Sequence, residues 1–396
     1  MTHRRRTSRR RARAALAGIA ALVAGSVASA SPIGLGATPP LAWHLDSASP
    51  QDAPRENDPL YASCGRADAS LVQVAARNAA HQLRGDGAFA SDELAFNLRA
   101  AGGPQVWPRA WSIQAADLDE ADVAQRLDTW LASTRPLGER RCGLARRVRS
   151  DGTGVVSAVT VDALADLEPL PSTARVGEWI TLKAHVLVPA TDAKVVLLGP
   201  RGLPRTVLAS LSGDDIRATF SVDQPGPWLV QVLANVSTGP RPVLEAYIHA
   251  GSLPPLAFAE SPAPGEDAVS ASKTDVDTMR AMLNAARVAE GMKPLGDDPV
   301  LDRLAGEHSA KMLHSKTVGH DVGDGDPSVR LAAANVRYRS SGENVAGASS
   351  LTRAHRALWA SPSHRGNVLE NRFSRVGIGV ERGPDGRVWV TELFLD

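Results

Sequence analysis

The sequence predicts a multidomain chain with an α+β module at each end and an all-β sandwich between them. Three observations carry that prediction. Over residues 273–396, capped amphipathic helices precede a closing pair of alternating strands. Over 167–251, short apolar alternations are punctuated by turn dipeptides such as Pro225-Gly226 and Gly239-Pro240. Over 61–166, a weaker helix, helix, hairpin order recurs. A chain of 396 residues accommodates roughly two to three ordinary cores.

Residues 1–30 read as an export signal peptide. Arginines cluster at Arg4–Arg6 and Arg9–Arg11, an apolar run follows from Ala14 to Val27, and Ala28-Ser29-Ala30 supplies a small-residue cleavage pattern. Ser8-Arg9-Arg10 permits twin-arginine export, but no apolar residue follows the arginines, so general secretion is favoured. The run is too short for a stable anchor, and no other stretch approaches a membrane-spanning helix. The destination is secreted or periplasmic, in or beyond the cell envelope. Net charge is +1 with this arginine-rich, acid-free leader and negative without it, so no basic nucleic-acid footprint is present. Residues 31–60, rich in Pro, Ser, Ala and Asp, read as a flexible lead-in.

Within 61–166, Ser70 to Leu83 can be laid on Val300 to Leu313, with Leu71 on Leu301, Ala75 on Ala305 and Asn78 in place of His308. Trp130 then falls on Trp359, and Cys142 to Val159 parallels the hairpin that closes the chain. The segment is either a degenerate internal repeat or an unrelated small helical domain. Its Cys64 and Cys142 are the only two cysteines of the chain, and in an exported protein they are a candidate disulfide. Across 167–251, Gly177 to Val186, Val195 to Leu198, Arg217 to Val222, Trp228 to Ala234 and Val243 to Ile248 give at least five strands. That count suggests an immunoglobulin-like β-sandwich of about five to seven strands, a spacer or adhesive module without chemistry of its own. A Pro-, Ala- and Ser-rich linker occupies 252–272.

In 273–396 the first helix is capped by Thr274, carries Met279, Met282, Leu283 and Ala286, and stops at Gly291. The second opens with Asp298 and Pro299 and aligns Leu301, Leu304, Ala305, His308 and Met312 on one face. A third, from about Leu351 to Trp359, is stopped by Pro362. Strands then alternate through Val376, Ile378 and Val380, turn at Gly383 to Gly386, and return from Val388 to Phe394. His320, the box Gly342-Glu343-Asn344 and the run from Trp359 to Asn367 containing His364 concentrate polar chemistry in this module.

Four features in order resemble the CAP superfamily of cysteine-rich secretory, antigen 5 and pathogenesis-related proteins, in its bacterial, cysteine-poor branch. They are the helix ending in Gly291 to Leu295, the helix bearing His308 to Met312, the Gly-Glu-Asn box, and Trp359 followed by Ser361 to Arg365. The resemblance spans about Lys273 to Asp396 and implies an α-β-α sandwich around a ligand cleft that includes Asn344. In the family's metal-binding members the cleft holds two His and two Glu. Carried over, these are His320, Glu343 and His364, a candidate zinc set, while Ala360 to Ser363 offer no fourth ligand. Glu392 could substitute only if its strand turned it inward, and such residues usually face solvent.

Structural alternatives accompany each residue. His308 reads as a hydrogen-bonded core histidine, and Glu343 either pins a tight turn or acts as a ligand. His364 either caps the segment after Pro362 or lines the cleft. A lone loop histidine such as His320 is usually exposed, and His355 is expected at the surface. The chain lacks a Gly-x-Ser-x-Gly elbow, a phosphate-binding loop and a His-Glu-x-x-His helix. The favoured function is a non-enzymatic binding protein for a small apolar or lipid-like ligand or an extracellular protein. The alternatives are a divalent-metal-dependent hydrolase and a structural envelope protein.

Overall fold

The computed structural model describes residues 58–134, 136–237, 239–268 and 274–396. The leader, nearly all of the lead-in and the last residues of the linker lie outside them. The N-terminal module comprises α1 (Tyr61–Cys64), β1 (Arg66–Ala67), α2 (Ala69–Leu83), α3 (Ser91–Ala100), β2 (Arg109–Ala115), α4 (Glu120–Ala132), β3 (Glu139–Val148) and β4 (Gly154–Ala163). Its sheet runs β1-β3-β4-β2, with β1 parallel to β3 and the other pairs antiparallel. Asp68 starts α2 by accepting the backbone N–H groups of Ser70 and Leu71, two donors the first turn cannot satisfy internally. Cys64 and Cys142 are disulfide-bonded and fully buried, tying α1 to β3.

Nine short strands follow: β5 (Ala165–Leu167), β6 (Thr173–Ala174), β7 (Trp179–Val186), β8 (Ala190–Leu198), β9 (Arg205–Leu208), β10 (Ser210–Ser212), β11 (Asp215–Ser221), β12 (Gly226–Val236) and β13 (Gly239–Ala250). They form two sheets, β10-β11-β7-β5 and β6-β13-β12-β8-β9. Alternation in β7 turns Ile180, Leu182, Ala184 and Val186 inward, where they meet Val195, Leu197, Val230 and Leu244 of the other sheet. The expected boundary at 166/167 falls inside β5, because Leu164 and Ala165 already belong to this core. The longer strand list arises from two- to four-residue edge strands that periodicity does not resolve.

The C-terminal module comprises α5 (Asp275–Ala289), β14 (Gly296–Asp297), α6 (Pro299–Ser315), α7 (Pro327–Ala333), β15 (Ser341–Ala348), α8 (Leu351–Ala360), α9 (Pro362–Val368), β16 (Arg375–Arg382) and β17 (Val388–Leu395). Its sheet order, β14-β16-β17-β15, repeats that of the N-terminal module, again with the two-residue strand parallel to its neighbour. On one face Met279, Met282, Leu283, Leu351, Ala354 and Leu358 cover Val376, Ile378, Val388, Val390 and Phe394. On the other, Leu301, Leu304, Ala305 and Leu331 cover Leu393 and Leu395. Thr274 closes a capping box with Asp277 at the start of α5, and Asp298 with Pro299 starts α6. Pro362 ends α8 and also opens α9, an element the periodicity did not suggest.

The linker is not a free tether over its described part. Ala263 joins the C-terminal core, Pro264 O accepts from His355 Nε2 at 2.8 Å, and Glu266 pairs with both ends of the Arg356 guanidinium. His355 is consequently buried rather than superficial, and burial lowers its pKa. Upstream, Phe258 packs its ring 5.7 Å from that of Phe96 on α3. Buried arginines bind the sandwich to its neighbours: Arg99 of α3 reaches Glu245 of β13 at 3.0 Å, and Arg365 of α9 donates to Gly199 O at 2.9 Å.

Candidate functional site

The Gly-Glu-Asn box lies in edge strand β15 rather than in a tight turn. Its location follows from register: Glu343 is opposite Leu393 and Asn344 is opposite Glu392, so neighbouring side chains point to opposite faces of the sheet. Glu343 turns toward α6 and α7. Its Oε1 accepts from His320 Nδ1 at 2.9 Å, and its Oε2 accepts from Arg330 Nη2 at 2.7 Å. Glu343 and Arg330 are both buried, so their ion pair is screened from water. His308 lies close by, with Nε2 4.0 Å from Glu343 Oε1, but its ring bonds Asp324 at 2.8 Å and Gly319 O at 2.9 Å. It is a core histidine that holds the loop carrying His320.

Asn344 works on the other face. Its Nδ2 donates to Glu392 Oε2 at 2.8 Å and to His364 O at 3.1 Å, and its Oδ1 accepts from Asn367 Nδ2 at 2.9 Å. Asn367 also donates to Glu343 O, which fixes α9 against the strand. Glu392 is turned inward and is 1% exposed, against the expectation of a solvent-facing carboxylate. The closing hairpin is sandwiched between helical layers, so neither of its faces is free. Burial pushes the Glu392 carboxyl up to about 7, and Oε1 has no hydrogen-bond partner.

His364 does not cap α9; Ser361 precedes that helix without a side-chain cap. The His364 ring is mostly buried with Nδ1 unpartnered, and its pKa is pulled down to about 4 by burial first and the charge of His320 second. Arg365, next in sequence, instead stacks over Trp359 at 4.4 Å and donates to Trp359 O. His320 is half-exposed, as a loop histidine should be, yet bonded to Glu343. The sequence reading missed Arg330. The Asp326-Pro327 start of α7 repeats the Asp298-Pro299 signal of α6 and would have revealed the helix that presents it.

The family's metal set does not fit these residues. Both Glu343 oxygens are engaged, one by a buried guanidinium, and a cation beside that pair would face the charge of Arg330. Glu392, paired with Asn344, lies on the opposite face of the sheet from Glu343. Among the described residues, no three His, Cys, Asp or Glu side chains form a group that could hold a metal ion. What the arrangement can do is present His320 and the edge of His364 to a visitor while Glu343 stays locked.

Residues 280–394 match the model of the cysteine-rich secretory protein family, CAP, so the C-terminal module is a CAP domain. Three solved structures show similarity. An outer surface protein from Borrelia burgdorferi has 20% identity and a TM-score of 0.30, with 32% of this chain and 96% of that one covered. An extracellular protein containing an SCP domain from Bacillus anthracis has 17% identity and a TM-score of 0.29, with 58% and 87% covered. A cysteine-rich secretory protein from Staphylococcus aureus has 12% identity and a TM-score of 0.27, with 58% and 83% covered. No curated protein matches the chain. Among the described residues no helix is long and apolar enough to cross a membrane.

Proposed function

We propose that this chain is an exported, non-enzymatic binding protein whose CAP domain recognises a partner at the edge where His320 and His364 are presented, braced from beneath by the buried Glu343 and Asn344. The observation that carries the reading is the closed bonding of Glu343. A carboxylate held by Arg330 and His320 is a poor general base and an unavailable metal ligand, so it braces the site. The accessible polar groups around it favour a protein surface over a lipid-like molecule, because an apolar ligand would leave His320 without compensation. Export is supported by the basic leader with its apolar run and by the Cys64–Cys142 disulfide, which suits an oxidising compartment. The central sandwich, read as immunoglobulin-like, acts as a rigid spacer, and the N-terminal module as a degenerate copy of the CAP domain without its site.

Zinc titration by calorimetry tests the reading, with the chain from Ser31 onward run beside His320→Ala and His364→Ala. The expected result is no binding in the micromolar range and no chelator-sensitive hydrolysis of ester, phosphodiester or peptide substrates. Stoichiometric micromolar zinc lost in both folded variants would overturn it in favour of the metal-dependent hydrolase.

A further inference from the structure

The turn between β8 and β9, residues 199–204, carries the central sandwich onto the CAP domain at two points. At the first, Arg201 Nη2 donates to Ala289 O at 2.8 Å and Gly202 N donates to Glu290 Oε2 at 2.9 Å. Ala289 and Glu290 close α5, where the last carbonyls lack partners within the helix and the helix dipole favours a cation. At the second, Gly199 O accepts from Arg365 Nη1 of α9 at 2.9 Å. Gly199 packs directly on the buried Trp228, whose ring would lie 2.9 Å from a Cβ at that position. Trp228 is itself tied through Nε1 to Gln224 O at 2.9 Å, so the Gly199 carbonyl is presented by a fixed wall.

Arg365 follows His364 in sequence and is 6% exposed. Its guanidinium forks between the two modules. Nε donates to Trp359 O at 2.8 Å within the CAP domain, Nη1 donates to Gly199 O in the sandwich, and Cζ lies 4.4 Å from the centre of the Trp359 ring. Withdrawing Gly199 would leave a buried donor of a charged group without its acceptor, a cost that favours the docked arrangement. α9 has seven residues, too few to be stable alone, so its position is set by what it touches. Asn344 and Asn367 tie it to β15, and Arg365 ties it to the sandwich.

We propose that the β8–β9 turn is a positioning element of the recognition edge: through Arg365 it seats α9 and thereby sets the His364 ring, so the sandwich is part of the site rather than only a spacer. That this edge recognises a partner rests on the reading above, whereas the seating of His364 is measured without any ligand. Arg365 is a positioning residue, and its support comes from Gly199, 166 residues away in sequence.

Nuclear magnetic resonance on the chain from Ser31 onward tests this, reading amide hydrogen exchange and the histidine Cε1–Hε1 resonances. The turn variant, Gly199→Ala with Arg201→Ala, displaces the carbonyl and releases the end of α5. The amides of Arg365 and Leu369, bonded to Ser361 O and Arg365 O, should then exchange at least about ten-fold faster and the His364 resonance should shift, with α6 and β16 at parent rates. Arg365→Lys should speed the same two amides, because an ammonium keeps the charge and loses the fork. Circular dichroism confirms that each variant is folded. If the turn variant does not fold, Arg201→Ala alone, at an exposed side chain, carries the same readouts. Parent-like exchange with an unmoved His364 resonance in the folded turn variant would overturn the proposal. Equal acceleration in α6, α9 and β16 would also overturn it, since that marks general destabilisation. Parent-like exchange in Arg365→Lys would overturn the bridging role of Arg365. None of these outcomes bears on whether the edge binds a partner, which the zinc titration addresses separately.

Discussion

Strand register sets Ala110, Trp111 and Ala158 of the N-terminal module at the positions that Glu343, Asn344 and Glu392 occupy in the C-terminal one. Laying Ser70 to Leu83 on Val300 to Leu313 brings Asn78 of α2 to the place of His308 of α6. Each pins the loop after its helix, Asn78 through Phe89 N at 2.9 Å and His308 through Gly319 O. The close approach of helix to sheet is repeated as well. A Cβ on Gly143 would lie 2.0 Å from the Leu71 carbonyl carbon, and one on Gly377 would lie 2.2 Å from that of Leu301. Backbone contacts and loop pins recur while the carboxylates do not. The lesson is that the sheet and its helix contacts form without the polar site, which therefore adds a function or a local brace to an architecture that stands without it.

The widest contrast is covalent. Cys142 sits where the C-terminal module has the buried Val376, and only the N-terminal module is cross-linked. With a separation of 78 residues, reduction should cost the N-terminal module about 4 kcal/mol. Native-state hydrogen exchange should then show β3 and β4 losing protection while β16 and β17 keep it. Equal loss in both modules would mean that they unfold as one unit and that the comparison has no energetic content. The next contrast is the buried ion pair. Glu343→Ala mimics Ala110 but strands Arg330 in the interior, at a cost of roughly 3 to 4 kcal/mol in urea unfolding. Glu343→Leu combined with Arg330→Leu should recover most of that. A single variant as stable as the parent would show that the pair braces nothing.

Much of this architecture was legible because its signals are local. The caps at Thr274 and Asp298, the apolar faces of α5 and α6, and the alternation of β16 and β17 all depend on short spacings. The site was legible as a set of residue types and illegible as a geometry. Alternation cannot tell that both faces of the closing hairpin are covered, so Glu392 was expected in solvent. Nor does one strand's composition reveal its register, which alone separates Glu343 from Asn344 across the sheet. The linker's Pro and Ser content suggested freedom, but its contacts come from Arg356 and His355, about 90 residues away.

The finest contrast lies in two buried titratable groups of opposite sign that the C-terminal module carries. Glu392, raised from 4.5 to about 7, keeps its proton in the folded chain while the unfolded chain releases it. Its contribution is therefore whole below about pH 4.5 and is lost as pH climbs through 7. His364, depressed from 6.5 to about 4, stays neutral while the unfolded chain takes up a proton. Its contribution is whole above about pH 6.5 and is lost as pH falls through 4. Between about pH 4.5 and 6.5 the slopes of these two groups oppose each other and largely cancel, leaving the slope that the buried, depressed His355 adds. Removing either group exposes the other. Relative to the parent, Glu392→Gln should lose stability on acidification from pH 6.5 to 4, and His364→Gln should lose it on alkalinisation from pH 4.5 to 7, each by on the order of 2 kcal/mol. Urea midpoints measured at half-unit pH intervals would show the two variants tilting in opposite directions. Parallel profiles for parent and variants would mean that neither group titrates differently on folding, and the polar interior would then be electrostatically as silent as Ala158 of the N-terminal module.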